Sequence, residues 1–202
     1  MKIKLLSTAK FLFIVVIAFY SLNCSKNIEK QKYADEYSKV VYDLVKRGEI
    51  TKKGQDAIIA YRKSNFMDID NAEIARNYFL QGIVLDSLAL TVLTKIELPD
   101  TSAGEISELL IKGITAISRG NSIYAANYSD AKVLNLEQRK ESFLNVKPAL
   151  VFTADGLNNT VLSLEKFKMY ANSNGLKVND KFEEWFKHFK EERDHLKSFI
   201  KE

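Results

Sequence analysis

Apolar residues recur every three or four positions along most of this chain, a spacing that places side chains on one face of an α-helix. Alternation of apolar and polar residues, which would indicate a β-strand, is not sustained over any convincing length. The pattern therefore predicts an all-α fold, either an antiparallel helical bundle or an irregular helical domain, with five or six helices.

Glycines and capping residues divide this pattern into segments. Asp70 and Ser102 are each followed three residues later by a glutamate, and such capping boxes open helices. Gly48, Gly120 and Gly175 are expected to end helices, because glycine tolerates the left-handed conformation of a C-terminal cap. The main predicted helices cover 33–47, 55–65, 70–98, 102–119, 148–174 and 180–202, and a shorter helix is predicted over 136–146.

Two of the predicted helices have distinctive apolar faces. The helix over 70–98 is apolar nearly all round, which predicts a central position in the bundle. The last helix has a single apolar stripe, which predicts that this helix packs against the bundle. An exposed patch for a partner or a membrane is the alternative for that stripe. The stripe consists of Phe182, Trp185, Phe186, Phe189, Leu196, Phe199 and Ile200.

The N-terminus has the layout of an export signal. Three lysines within the first ten residues precede an unbroken apolar run over 11–20, and Ser21-Leu22-Asn23-Cys24 follows. This run is shorter than the roughly 20 residues that a membrane-spanning helix needs. We therefore predict a signal peptide over 1–23.

The tetrapeptide that ends at Cys24 resembles the lipobox of bacterial lipoproteins, in the relaxed form similar to that of spirochaetal members. The resemblance implies that Cys24 is acylated, with palmitate among the acyl chains, and becomes the first residue of the mature protein. Residues 24–32 would then form a lipidated cysteine with a polar tether, and 33–202 a single helical domain. Ser25 after the cysteine is compatible with sorting to the outer membrane. Plain secretion and an uncleaved anchor are the alternatives.

Most of the basic excess of the chain belongs to this signal. The chain has 30 basic and 26 acidic residues, and three of the lysines lie in the signal, so the mature chain has 27 and 26. Lysines alternate with acids in the mature part, without the clustered basic surface that binds nucleic acid. We predict no nucleic-acid partner, and the membrane is the partner expected through the lipid on Cys24.

The candidate chemistry of the mature chain is sparse. Cys24 is the only cysteine, so the domain has no disulfide, cysteine metal site or cysteine nucleophile. Glu184, His188, Glu192 and His195 could share one edge of the last helix, but one Glu-x-x-His unit is too few for a di-iron bundle. Hydrolase, nucleotide-binding and zinc-protease motifs are not found. We predict no catalytic residue, no cofactor and no metal.

These observations predict a protein of the bacterial cell envelope with a non-enzymatic binding or interaction role. The lipid anchor would place it on the outer membrane, at the periplasmic face or the cell surface. An envelope structural or accessory subunit is the alternative. A ligand carrier or an enzyme that uses the bundle interior is disfavoured by the shortage of histidine and cysteine.

Overall fold

The computed structural model describes the backbone of residues 2–201 and the side chains of residues 27–197. It contains six helices and, within those backbone residues, no strand, which confirms the predicted all-α fold. Cys24 and the lipobox lie outside the residues whose side chains are described. The helices are α1 (Lys2–Lys63), α2 (Ile69–Leu93), α3 (Thr101–Asn127), α4 (Leu136–Leu144), α5 (Lys147–Asn174) and α6 (Phe182–Lys201).

Polar side chains cap three of the helix starts. Asp68 accepts a hydrogen bond from the Asn71 amide at the start of α2, and Asp100 accepts one from the Ala103 amide at the start of α3. Asn135 and Gln138 form a reciprocal capping box at α4. The predicted starts of α2 and α3 were two residues late, because an acid lies two residues upstream of each predicted cap.

The glycines end fewer helices than predicted. Gly175 caps α5 in the left-handed conformation, with φ of 62°, as predicted. The predictions for Gly48 and Gly120 were wrong, since α1 continues to Lys63 and α3 to Asn127. Both glycines are buried where helices pack, and this packing outweighs the roughly 1 kcal/mol that glycine costs inside a helix.

Helices α3 and α5 form the closest pair, and small residues bring their backbones together. A Cβ atom on Gly113 would lie 3.0 Å from the Gly156 carbonyl oxygen, and one on Gly156 would lie 2.7 Å from the Gly113 carbonyl oxygen. Farther along, a Cβ on Gly120 would lie 2.9 Å from the carbonyl oxygen of Ala149. The register of these contacts makes the two helices antiparallel. Helix α2 packs between α1 and α3, and α6 packs on α5 and α1.

Two hydrophobic clusters form the core. The first joins α1, α2, α3, α5 and α6, and includes Tyr37, Leu110, Leu164 and Phe189. Phe182, Trp185 and Phe189 are buried in this cluster, so the described part of the α6 stripe packs against the bundle as predicted. Phe199 and Ile200 of the predicted stripe lie outside the residues whose side chains are described. The second cluster lies toward the turn between α1 and α2, around Tyr61, Phe79, Tyr124 and Tyr128.

Helix α2 was predicted to lie at the centre of the bundle, but protein covers only one of its faces. Ala75, Phe79, Ala89 and Leu93 are buried on its inner face, as are Gly82 and Asp86. Its opposite face is exposed although it is also apolar. The sequence pattern could not show this difference, because both faces of the helix are equally hydrophobic.

The residues at the end of the predicted tether contact the domain directly. Residues 27–32 belong to α1, and Lys30 donates a hydrogen bond to Asn174 Oδ1 over 2.7 Å. Lys32 pairs with Glu97 at 2.8 Å. Helix α1 is therefore held against the ends of α2 and α5 from Lys30 onward.

Candidate functional site

A groove of about 740 Å³ opens between α1, the loop after α5 and the start of α6. We call it the aromatic groove. Its size is within the range of small-molecule and peptide sites in proteins. It is lined by Asp35, Ser38, Lys39, Tyr42, Lys177, Val178, Asn179, Asp180, Lys181 and Trp185.

Tyr42 and Trp185 form the apolar part of the aromatic groove. Their ring centroids lie 5.5 Å apart with the planes tilted by 36°, and Lys46 Nζ lies 4.2 Å from the Tyr42 centroid. The position of Trp185 is fixed by its neighbours on α6, because Phe182 and Phe189 anchor that helix in the core. Tyrosine and tryptophan are the residues that most often dominate protein interfaces, since they combine a large apolar surface with a polar tip.

The rim of the groove is held in place by side-chain amides. Gln31 Nε2 donates to the Lys177 carbonyl oxygen over 2.9 Å, and the Lys177 amide donates to Gln31 Oε1 over 2.9 Å. The Lys181 amide donates to Asn179 Oδ1. These bonds tie the loop between α5 and α6 to α1, so the groove is formed before anything enters it.

The polar side chains of the groove have unused hydrogen-bonding capacity. Ser38 is 6% exposed, and its Oγ has no hydrogen-bond partner in the described part of the chain. Buried hydroxyls without partners are uncommon and call for an explanation. Within the described residues, Lys39, Lys177 and Lys181 form no ion pair. The groove therefore presents three lysine ammonium groups to a partner, beside the carboxylates of Asp35 and Asp180.

A second exposed surface runs along α2. Leu80, Val84, Leu88 and Val92 follow one another at intervals of four, and their exposed fractions lie between 39% and 59%. We call these four residues the α2 ridge. A shallow groove of about 520 Å³ lies beside it, with Ile50 of α1 and Leu85 among its lining residues. Apolar side chains grouped in this way mark interaction surfaces more often than isolated ones do.

A buried polar cluster lies on the inner side of the same helix. Arg47 Nε of α1 lies 3.3 Å from Asp86 Oδ1, and Asn121 of α3 donates to Asp86 Oδ2 over 3.4 Å. Burial raises the pKa of the Asp86 carboxyl to about 6, although Arg47 and Asn121 act in the opposite direction. Sequence reasoning missed this cluster. The signal was present, because Asp86 is the only charged residue between Asn77 and Thr94.

His188 of α6 contacts α1 and its own helix and lines neither of these two surfaces. His188 Nε2 lies 3.3 Å from Glu192 Oε1 one turn along the same helix, and both atoms approach Gly48 of α1. In the part of the chain whose side chains are described, no three histidine, cysteine or acidic residues are grouped so that they could hold a metal ion. Of the edge predicted from Glu184 to His195, the structure therefore brings His188 and Glu192 into contact.

Comparison with family models, with curated proteins and with solved structures returns no match. In the described residues, no helix is long and apolar enough to cross a membrane.

Proposed function

We propose that this chain is a lipid-anchored protein of the bacterial cell envelope, attached through Cys24, with a non-enzymatic interaction role. The anchor is supported by the basic start, the short apolar run and the relaxed lipobox. Acylation with several chains would give stable attachment, since one chain alone binds a membrane only marginally. The serine after Cys24 supports placement in the outer membrane.

The aromatic groove is the observation that carries the interaction role. It combines an aromatic pair, three lysines without ion pairs and a buried hydroxyl without a partner. Binding of a partner would cover the exposed part of the Tyr42 ring and would bring acceptor groups to the three lysines. These new contacts form only in the complex, so they would contribute directly to the free energy of binding.

Labelling of cells with a clickable fatty acid tests the anchor. We expect label on the wild-type chain and none on Cys24→Ala. Equal label on both chains would contradict attachment at Cys24. Protease treatment of intact cells then separates the two faces of the outer membrane, because only a surface-exposed domain is digested.

Site-specific crosslinking in cells tests the groove. A photoreactive residue at Lys181 should give a discrete adduct that Tyr42→Ala abolishes. The same residue at Lys112, which is exposed on α3 and paired with Glu108, serves as the control. Identical adducts at both positions, or an adduct at Lys181 that Tyr42→Ala leaves unchanged, would argue against the groove.

A structural or accessory subunit of the envelope is the second candidate function, and the α2 ridge favours it. Assembly through this ridge would remove the four apolar side chains from water, which is favourable by roughly 25 cal/mol per Å² buried. The two functions are compatible, because the ridge and the aromatic groove have no residue in common.

A further inference from the structure

We infer that the α2 ridge is the contact surface of a two-fold homodimer. This inference goes beyond the proposed function, since it requires neither the lipid on Cys24 nor a ligand in the aromatic groove. It starts from the exposure of four apolar side chains at intervals of four on one helix face. Such a row forms a continuous ridge that packs against another helix.

The charge distribution on this face favours a second copy as the occupant. Between Asn77 and Thr94 the only charged residue is Asp86, which is buried and paired with Arg47. A two-fold axis brings each residue near its own copy, so any charge near the axis would face a like charge. A surface without charge avoids this repulsion, whereas contact with a different partner would benefit from complementary charges.

The surface has a projection next to a depression. The α2 ridge lies directly beside the shallow groove that Ile50 and Leu85 help to line, and Leu80 and Val84 border both features. A two-fold contact uses the same surface of both copies, so each copy can contribute a projection and a depression. Helices whose rows of spacing four interdigitate cross at about −50°, and in such a crossing the ridges of the two copies would pack beside each other.

A membrane surface fits this face less well. Interfacial helices flank their apolar stripe with lysine and arginine, which contact anionic headgroups. Here the exposed residues along both sides of the ridge on α2 are uncharged, namely Asn77, Gln81, Ser87 and Thr91, and Arg76 and Lys95 lie only beyond its two ends. Hydrogen-bonding groups of this kind around an apolar centre are typical of the rim of a protein–protein contact.

The experiment uses the purified full chain in a non-ionic detergent, with its mass followed by sedimentation and light scattering over a hundredfold range of concentration. We expect the mass to rise from one chain to two. Leu88→Lys should weaken this association at least tenfold, because it places like charges close to the axis. Met169→Lys is the matched control on α5, where the methionine is 68% exposed, and it should associate like the wild type.

A mixing experiment separates self-association from contact with another protein. Leu88→Glu and Leu88→Lys chains should each be monomeric, and an equal mixture of them should recover the dimer through opposite charges. A wild-type chain that stays monomeric throughout, or a Leu88→Lys chain that dimerises like the wild type, would overturn the inference. Neither result would affect acylation of Cys24 or the adduct at Lys181, so the proposed function is tested separately.

Discussion

At the scale of single residues, the ion pair between Arg47 and Asp86 is the feature most sensitive to change. Both side chains are almost fully buried, and Asn121 adds one hydrogen bond. Asp86→Leu would leave the guanidinium of Arg47 buried without a counter-charge or a hydrogen-bond acceptor, so we expect a loss of about 3–5 kcal/mol in the free energy of unfolding at pH 7. Replacing both residues, with Arg47→Met and Asp86→Leu, should cost less than Asp86→Leu alone.

Denaturant titrations of the wild type and these two variants measure this difference. A double variant that is less stable than Asp86→Leu would show that the charged pair makes a net favourable contribution, contrary to our expectation. The comparison is informative because buried ion pairs often stabilise no better than apolar residues of similar volume.

The same carboxyl predicts a dependence of stability on pH. Burial raises the pKa of Asp86 to about 6 in the folded state, above the value near 3.9 of an unfolded chain. Between these values the folded state binds more protons than the unfolded state, so this group's contribution to stability falls as pH rises from about 4 to 6. The fall should amount to at most about 3 kcal/mol.

Comparison with Asp86→Asn isolates this contribution from the other titrating groups. The unfolding free energy of the wild type minus that of the variant should decrease as pH rises from 4 to 7. A difference that is constant over this range, or that shifts in favour of the wild type, would contradict a raised pKa at Asp86.

Two buried serines provide a matched test of the unpartnered hydroxyl. Ser163 Oγ donates to the Ile106 carbonyl oxygen over 2.6 Å and bonds to the Tyr37 hydroxyl over 2.7 Å. Ser163→Ala leaves that buried tyrosine without a partner, so it should cost about 1–3 kcal/mol. Ser38→Ala removes a hydroxyl without a partner and should leave the melting temperature unchanged or slightly higher.

A large drop in the melting temperature of Ser38→Ala would show that its hydroxyl already has a partner in the folded protein. The same variant should reduce the Lys181 adduct in cells if Ser38 contacts the occupant of the groove. Stability and binding would then be separated at one residue.

At the scale of helices, the close contact of α3 and α5 depends on glycine. A Cβ atom on Gly156 would overlap Ile117 Cγ1 and would lie 2.7 Å from the Gly113 carbonyl oxygen. Gly156→Ala must therefore push the helices apart, and we expect it to cost about 1–3 kcal/mol. Gly104→Ala in the first turn of α3 is the control, since its Cβ would meet only Leu98 Cδ1 at 3.8 Å.

Gly104→Ala should raise the melting temperature, because alanine favours a helix over glycine by up to about 1 kcal/mol. Thermal unfolding followed by circular dichroism measures both variants. If Gly156→Ala were as stable as Gly104→Ala, the backbones of α3 and α5 could not be as close as the structure shows.

The helices show which signals in a sequence fix an element and which do not. The position of Gly175 as a cap follows from local chemistry, because its φ of 62° lies in the left-handed region that glycine adopts without strain. Gly120 is the same residue type but lies within α3, where its lack of a side chain serves the contact with α5. A single sequence does not distinguish these two uses of glycine, since the difference lies in a segment some 30 residues away.

At the scale of the whole molecule, the all-α class was predictable because the apolar period is a local property of every segment. The aromatic groove was not, since it joins Tyr42 of α1 to Trp185 of α6 across the bundle. The α2 ridge was visible as an apolar face, but it was assigned to the interior. Which of two apolar faces is buried depends on how many neighbours pack around the helix, and this is a property of the assembled fold.

We expect the domain to unfold as one cooperative unit. The structure has two hydrophobic clusters, one around Leu164 and Phe189 and another around Phe79 and Tyr124. Helices α1, α3 and α5 each contribute to both clusters, so separate unfolding would require these helices to break in their middle. We therefore expect one cooperative transition, as in most single domains of this size.

Trp185 is the only tryptophan and lies in the first cluster, so its fluorescence reports that cluster alone. Its denaturation midpoint should coincide with that of circular dichroism, which reports all the helices. Phe79→Leu lies in the second cluster and Leu164→Val in the first. For an equal loss of unfolding free energy, both variants should lower the denaturation midpoint of Trp185 fluorescence by the same amount, because cooperative unfolding couples distant sites. If Phe79→Leu left the Trp185 midpoint unchanged while it lowered part of the dichroism transition, residues 33–202 would form two units of stability.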